Sequence, residues 1–244
     1  MPAGRRSLEC IADDVWIDTD PVRILGMKLT ATMAVVRLPD SGVAGGRGLL
    51  LYSPLSLTPA RRAIVESLGR VEHLYAPNLF HHLYIGDWGA AFPTARLHAP
   101  AGLGKKRPDL KIDREHASTP EHAFVDLLDE VRIDGFRLDE TVLVHRPSRT
   151  LLVADLVHNV GRPEQAWARI YTKAMGFYGR VALSRMIRAT GFPDKAAARR
   201  SVEHLLTLPF DRVVVGHGSP VETEGQRQLA SAYRFLGVGK LEPL

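Results

Sequence analysis

The feature that most constrains this chain is the order in which short apolar runs alternate with helix-forming segments. Val15-Trp16-Ile17-Asp18, Thr32 to Leu38 and Gly48 to Ser53 read as strands, the second closed by the turn residues Pro39-Asp40-Ser41-Gly42 and returning as an antiparallel hairpin. Thr58-Pro59 sets a capping residue and a first-turn proline ahead of a helix over 60–68, where Ala60, Ile64, Val65 and Leu68 have helical spacing. Val71 to Ala76 reads as a buried strand, followed by a histidine-bearing loop, a short helix to Phe92 and a strand at Arg96-Leu97-His98-Ala99. Segment 100–119, rich in Gly, Pro and charge, reads as a loop. Strands follow at Val131-Arg132-Ile133, Thr141 to His145 and Thr150 to Ala154, the last two joined by the tight turn Arg146-Pro147-Ser148-Arg149. From Pro163 to Arg188, Trp167, Ile170, Tyr171, Met175, Tyr178, Val181 and Met186 recur at helical intervals, which predicts one broken helix or two consecutive ones. Lys195 to Leu206 is a further amphipathic helix, Arg212 to Val215 a buried strand, and Gly225 to Phe235 a closing helix. Sheets with helices outside them make a single α/β domain over residues 1–244, a four-layer αββα sandwich.

At 244 residues with 45% hydrophobic and 24% charged side chains, the chain is long enough to bury an ordinary core. The excess of 32 Lys and Arg over 27 Asp and Glu is small and scattered, so no nucleic-acid partner is expected. No run approaches the roughly 20 apolar residues that span a bilayer. Arg5 and Arg6 are followed by Ile11-Ala12-Asp13-Asp14 where a signal peptide would be apolar, which predicts a soluble, cytoplasmic protein with no membrane partner. One cysteine, Cys10, which precedes the first predicted strand, excludes a disulfide framework and any cysteine-cluster metal site, and it receives no catalytic role. Ten histidines leave imidazole and carboxylate as the ligand chemistry.

Three polar groups share one placement, just after an apolar strand: His81-His82, Asp155 and His217. Strand ends are rigid mounts, and neutral imidazole with carboxylate suits zinc, iron or manganese. The glycines of Gly216-His217-Gly218 leave room around that imidazole. Each signal also has a plain reading, since a histidine pair can be solvated and a strand-end Asp can cap a turn. Asn78 and His158 are candidate pocket residues that equally suit turns. Lys105-Lys106-Arg107 reads as a solvated loop, and His145, Arg146 and Arg149 as solvent-facing turn residues. Trp167, Tyr171, Met175, Phe177 and Tyr178 read as core, or as the contact of a homodimer. The other histidines, His73, His98, His116, His122 and His204, read as strand, loop or helix-surface positions.

The order of these pieces, from Leu49 to Ser53 through Leu151-Leu152-Val153-Ala154-Asp155 to Val213-Val214-Val215-Gly216-His217-Gly218, resembles the metallo-β-lactamase fold. The phrases Arg37-Leu38-Pro39-Asp40, Ala76-Pro77-Asn78, His81-His82-Leu83, Lys106-Arg107-Pro108 and His145 to Leu151 resemble the DUF4336 family within that superfamily, over nearly the whole chain. The resemblance implies an αββα sandwich with any metal at the sheet edge. The superfamily's His-x-His-x-Asp-His loop is replaced here by Asn78-Leu79-Phe80-His81-His82, and the later ligand histidine has no match between Asp134 and Asp139. Asp155 matches the bridging aspartate and His217 the last histidine. The resemblance thus implies one divalent metal ion or none, with His81, His82, Asp155 and His217 as ligands and His81 and Asp155 as catalytic groups. Such a site would hydrolyse a small soluble ester, amide or phosphoester. The alternatives are a non-catalytic relative that binds a small ligand or partner, and, last, an iron-dependent oxidoreductase.

Overall fold

The computed structural model describes residues 8–24, 26–40, 46–116 and 121–238. Arg5, Arg6, the Ser41-Gly42 half of the predicted turn and the end of the 100–119 loop lie outside them. A seven-stranded sheet takes its strands in chain order: β1 (Glu9–Ala12), β2 (Val15–Ile24), β3 (Met27–Arg37), β4 (Gly48–Tyr52), β5 (Arg70–Tyr75), β6 (Arg96–Ala99) and β7 (Arg114–Glu115). The second sheet runs β11 (Arg212–Val214), β10 (Thr150–Leu152), β9 (Thr141–His145), β8 (Leu128–Arg132). Strands β4 to β7 are parallel to one another, as are β10 and β11, so their carboxyl ends open toward loops at shared edges.

Alternate residues of β4 show why its apolar run is unbroken. Leu50 and Tyr52 face the second sheet, packing with Leu143, Leu152 and Val214, while Leu49 and Leu51 face Val65 of α1 (Pro59–Leu68) and Trp88 of α2 (Ile85–Ala91). A strand covered on both faces needs apolar residues at every position. Val142, Val144 and Leu151 turn to the opposite side, against Val202 and Leu205 of the helix at Lys195–Thr207 and Leu229 of the one at Gly225–Ala232. Helix, sheet, sheet, helix is the sandwich that the sequence predicts.

Thr58 caps α1, its hydroxyl accepting from the Arg61 amide, with Pro59 in the first turn. The loop expected over 100–119 contains more order than its composition suggests: α3 (Leu103–Lys106) and β7 both lie in it. Cys10 lies on β1 instead of preceding the first strand, because β1 pairs with β2 at the open edge of the sheet. The aromatic stretch divides into α4 (Ala166–Met175) and α5 (Arg185–Thr190), separated after Gly176, which is left-handed at φ 79°. Helices Lys195–Thr207 and Gly225–Ala232 follow as α6 and α7. Among the described residues, no helix is long and apolar enough to cross a membrane.

Buried histidines form a separate network between the sheets. His73 Nδ1 lies 2.8 Å from His98 Nε2, and Arg114 donates to His98 Nδ1 at 3.3 Å while pairing with Glu130 at 2.5 Å. Because the guanidinium only donates, His98 accepts on Nδ1 and donates its Nε2–H to His73 Nδ1. His116 stacks on Tyr75 with ring centroids 4.4 Å apart. His145 does not face solvent as expected but is buried, 2.7 Å from Ser148 Oγ inside its turn.

Candidate metal centre

Three loops converge where the two sheets meet. His81 arrives from the turn after β5, Asp155 and His158 from the turn after β10, and His217 from the turn after β11. His81 Nε2 stands 3.4 Å from Asp155 Oδ2, and His217 Nε2 stands 3.7 Å from Asp155 Oδ1. One ligand atom from each of the three residues lies within 4.8 Å of the others.

Each ring is held by its remote nitrogen. His217 Nδ1 donates to the Thr30 carbonyl at 3.0 Å, and His81 Nδ1 is 2.8 Å from the Ser53 hydroxyl, so both Nε2 atoms turn toward Asp155. The N-terminal part of β3 docks the β11 turn through further bonds: Thr32 N to Gly216 O at 3.0 Å and Gly218 N to Thr30 Oγ1 at 3.1 Å. A Cβ on Gly216 would stand 2.5 Å from Ala154 O and 2.9 Å from His81 Cε1; Gly218, at φ 105°, has Asn159 O in the place of its Cβ, 2.0 Å away. Both glycines are therefore steric requirements of the site. Ser53 is buried at φ 54°, an unfavourable conformation for a side-chain residue, where it meets His81.

A buried carboxylate, Glu140, underlies the centre. It accepts from the amides of Ala154, Asp155 and Leu156 at 2.8, 2.8 and 3.1 Å and from Asn78 Nδ2 at 3.0 Å. Asn78 Nδ2 also donates to Asp155 Oδ2 at 2.9 Å, while its Oδ1 accepts from the amides of Phe80 and His81. Every polar atom of Asn78 is thus committed to fixing the His81 loop against Asp155. Burial and the Asp155 charge raise Glu140 to about 7, opposed by Asn78 and the amides. Asp155 is lowered: burial acts to raise it, but His81, His158 and His217 outweigh that. His81 is raised because Asp155 and Glu140 overcome its burial, whereas burial keeps His217 lowered despite Asp155. His158 is lowered by burial to about 4 and its buried Nδ1 has no hydrogen-bond partner among the described residues.

Of the residues singled out in the sequence, His81, Asp155, His217, His158 and Asn78 come together here. His82 does not: consecutive residues of a tight turn diverge, and its Nδ1 faces Arg107 Nη1 at 3.4 Å beneath α3. His82 is therefore not one of the three residues whose ligand atoms converge on Asp155. Missed altogether was Glu140, although it occupies the stretch before the Thr141 strand where a ligand histidine was sought. Thr30 and Ser53 were missed as well, and nothing local in the sequence marks them.

His81, Asp155 and His217 fit one divalent cation, for both imidazoles present an Nε2 whose opposite nitrogen is already engaged, and the buried Nδ1 of His158 is left over beside them. No family model matches this chain, and no curated protein matches it significantly. Solved structures do. A metallo-beta-lactamase from Pontibacter korlensis superposes with a TM-score of 0.63 at 14% identity over 96% of this chain and 100% of its own. The metallo-beta-lactamase FIM-1 from Pseudomonas aeruginosa in its mono-zinc form gives 0.61 at 11% identity over 96% and 97%. The Flv1 flavodiiron core from Synechocystis sp. PCC6803 gives 0.60 at 14% over 97% of this chain and 62% of that one. The chain has the metallo-β-lactamase fold.

Proposed function

We propose that this protein is a single-metal hydrolase of a small soluble ester, amide or phosphoester. The observation that carries the reading is the convergence of His81, Asp155 and His217 ligand atoms within 4.8 Å at the sheet edge. When bound, zinc, iron or manganese supplies Lewis acidity to a substrate oxygen and to water. Thr30 and Ser53 orient the two imidazoles, and the Asn78–Glu140 pair holds the Asp155 carboxylate against them. His158, neutral at physiological pH, lines the cavity beside Asp155 and His217, where its ring is placed to hydrogen-bond substrate. Membership of the DUF4336 family belongs to this proposal, supported by the sequence phrases given above.

Elemental analysis of untagged protein tests it. About one equivalent of zinc, iron or manganese is expected, lost in Asp155→Ala and in His217→Ala but kept in His82→Ala. A wild-type protein that stays metal-free after incubation with all three salts refutes the hydrolase. It would favour instead a ligand-binding relative, a reading motivated by Asn78 and Glu140, which saturate each other where the fold's further ligands would stand.

A further inference from the structure

Beside the metal centre, a cavity of about 180 Å³ opens between β3, α4 and α5. Asp155, His158 and His217 form one end of it, and the walls are apolar, among them Met27, Leu29, Val160, Phe177, Met186 and Ile187. Nothing in the centre described above uses this space. Two of its lining residues, Ser184 and Met186, flank Arg185, and a third, Phe177, follows Gly176. The position of a Cβ on Gly176 is 3.3 Å from Arg185 Nε and 3.4 Å from Arg180 Nη2, so these guanidinium groups are neighbours. Arg188 is lowered by burial and by the charges of Arg180 and Arg185 together. Arg162 reaches the same segment, with Nε 3.4 Å from the Cβ position of Gly179.

Many arginines of this protein pair with acids, among them Arg62, Arg107, Arg132, Arg146, Arg199 and Arg212. Arg162, Arg180, Arg185 and Arg188 hold none among the described residues; Arg180 bonds to the Gly176 carbonyl and Arg188 to the Leu183 carbonyl. Gathering like charges without a counter-charge costs free energy, and a bound anion removes that cost.

Resting on the hydrolase reading for its reactive bond, we infer that the substrate is a small amphipathic anion. Its short alkyl or aromatic group fills the apolar cavity, and its carboxylate or phosphate meets the arginine cluster around Gly176.

Calorimetric titration of the whole protein with non-hydrolysable probes decides this without turnover, so a protein found to bind no metal still gives an answer. Hexanoate or hexyl phosphate is expected to bind at least tenfold more tightly than hexanol, acetate or inorganic phosphate, and preference between the first two identifies the anionic group. In the Arg180→Gln/Arg185→Gln variant that tenfold advantage over hexanol disappears. Arg185→Gln alone, at a side chain that makes no hydrogen bond among the described residues, gives a partial loss and serves if the double variant unfolds. The inference is overturned if hexanol binds as well as both anions, if acetate or phosphate binds as well as its hexyl counterpart, or if Arg185→Gln leaves anion affinity unchanged. Binding of a DNA oligonucleotide with no binding of either hexyl anion would likewise overturn it, marking the arginines as a nucleic-acid surface.

Discussion

At the scale of single residues, Glu140 and Asn78 explain more of the centre than any ligand does. Four N–H groups converge on the Glu140 carboxylate, so Glu140→Gln places an amide NH₂ against at least one backbone N–H. We expect a loss of about 2–4 kcal/mol, read by urea denaturation, because a buried donor is left without an acceptor. Unchanged stability would show that the carboxylate is not what organises the 154–156 turn. Gly216→Ala meets Ala154 O and the His81 ring at once. It should displace His217, lowering the melting temperature and abolishing metal uptake in the same variant. His158→Gln separates roles: metal content stays at the wild-type level while turnover falls by about a hundred- to ten-thousandfold, the span of a lost proton-handling contact.

Elements carry a second kind of information, visible in where the helices break and the strands end. Gly176 ends α4 in the left-handed region, and its amide bonds back to the Lys173 carbonyl. Gly176→Ala should cost about 1–2 kcal/mol in stability, because a Cβ is unfavourable at that φ; a neutral substitution would mean that the α4–α5 break adapts freely. Among the described residues β1 covers β2 only as far as Ile17, so Pro21 lies where no described strand asks it for a ladder donor on that side. The β2–β3 hairpin reaches ten residue pairs and so brings Thr30 to the site. Only part of that length is legible in the sequence, since Thr19 to Thr30 mixes polar and apolar residues with no strict alternation.

For the whole molecule, the buried histidine network sets a response to acid. Burial, with Arg96 and Arg114, lowers His73 to about 4; burial, His73 and Arg114 lower His98 to about 2; burial, Arg114 and Arg132 lower His116 to about 3. The unfolded chain takes up these protons near pH 6.5 while the folded chain does not. Stability therefore holds above pH 6.5 and declines as pH falls toward 4, by up to about 1.4 kcal/mol per pH unit for each histidine that stays neutral. Glu140, raised to about 7, and His81, also raised, act in the opposite sense over part of that window, while His158, lowered to about 4, adds to the decline. Denaturation midpoints should stay level from pH 8 to about pH 6.5 and fall from there to pH 5, and His73→Gln should flatten that slope. A midpoint independent of pH would mean that these rings are hydrated and titrate normally.

Taken by itself, the sequence determined the four layers, the strand and helix order, and the positions of His81, Asp155 and His217 at strand ends. These rest on local periodicity and on turn chemistry, which neighbours in the chain dictate. Tertiary structure alone decided which of His81 and His82 faces Asp155, because one step along a tight turn redirects a side chain and sequence distance does not record it. It alone paired Asn78 with Glu140, 62 residues apart, and His217 with Thr30, 187 apart. It alone also gathered Arg180 and Arg185 around Gly176, because their meeting depends on how the chain turns between α4 and α5.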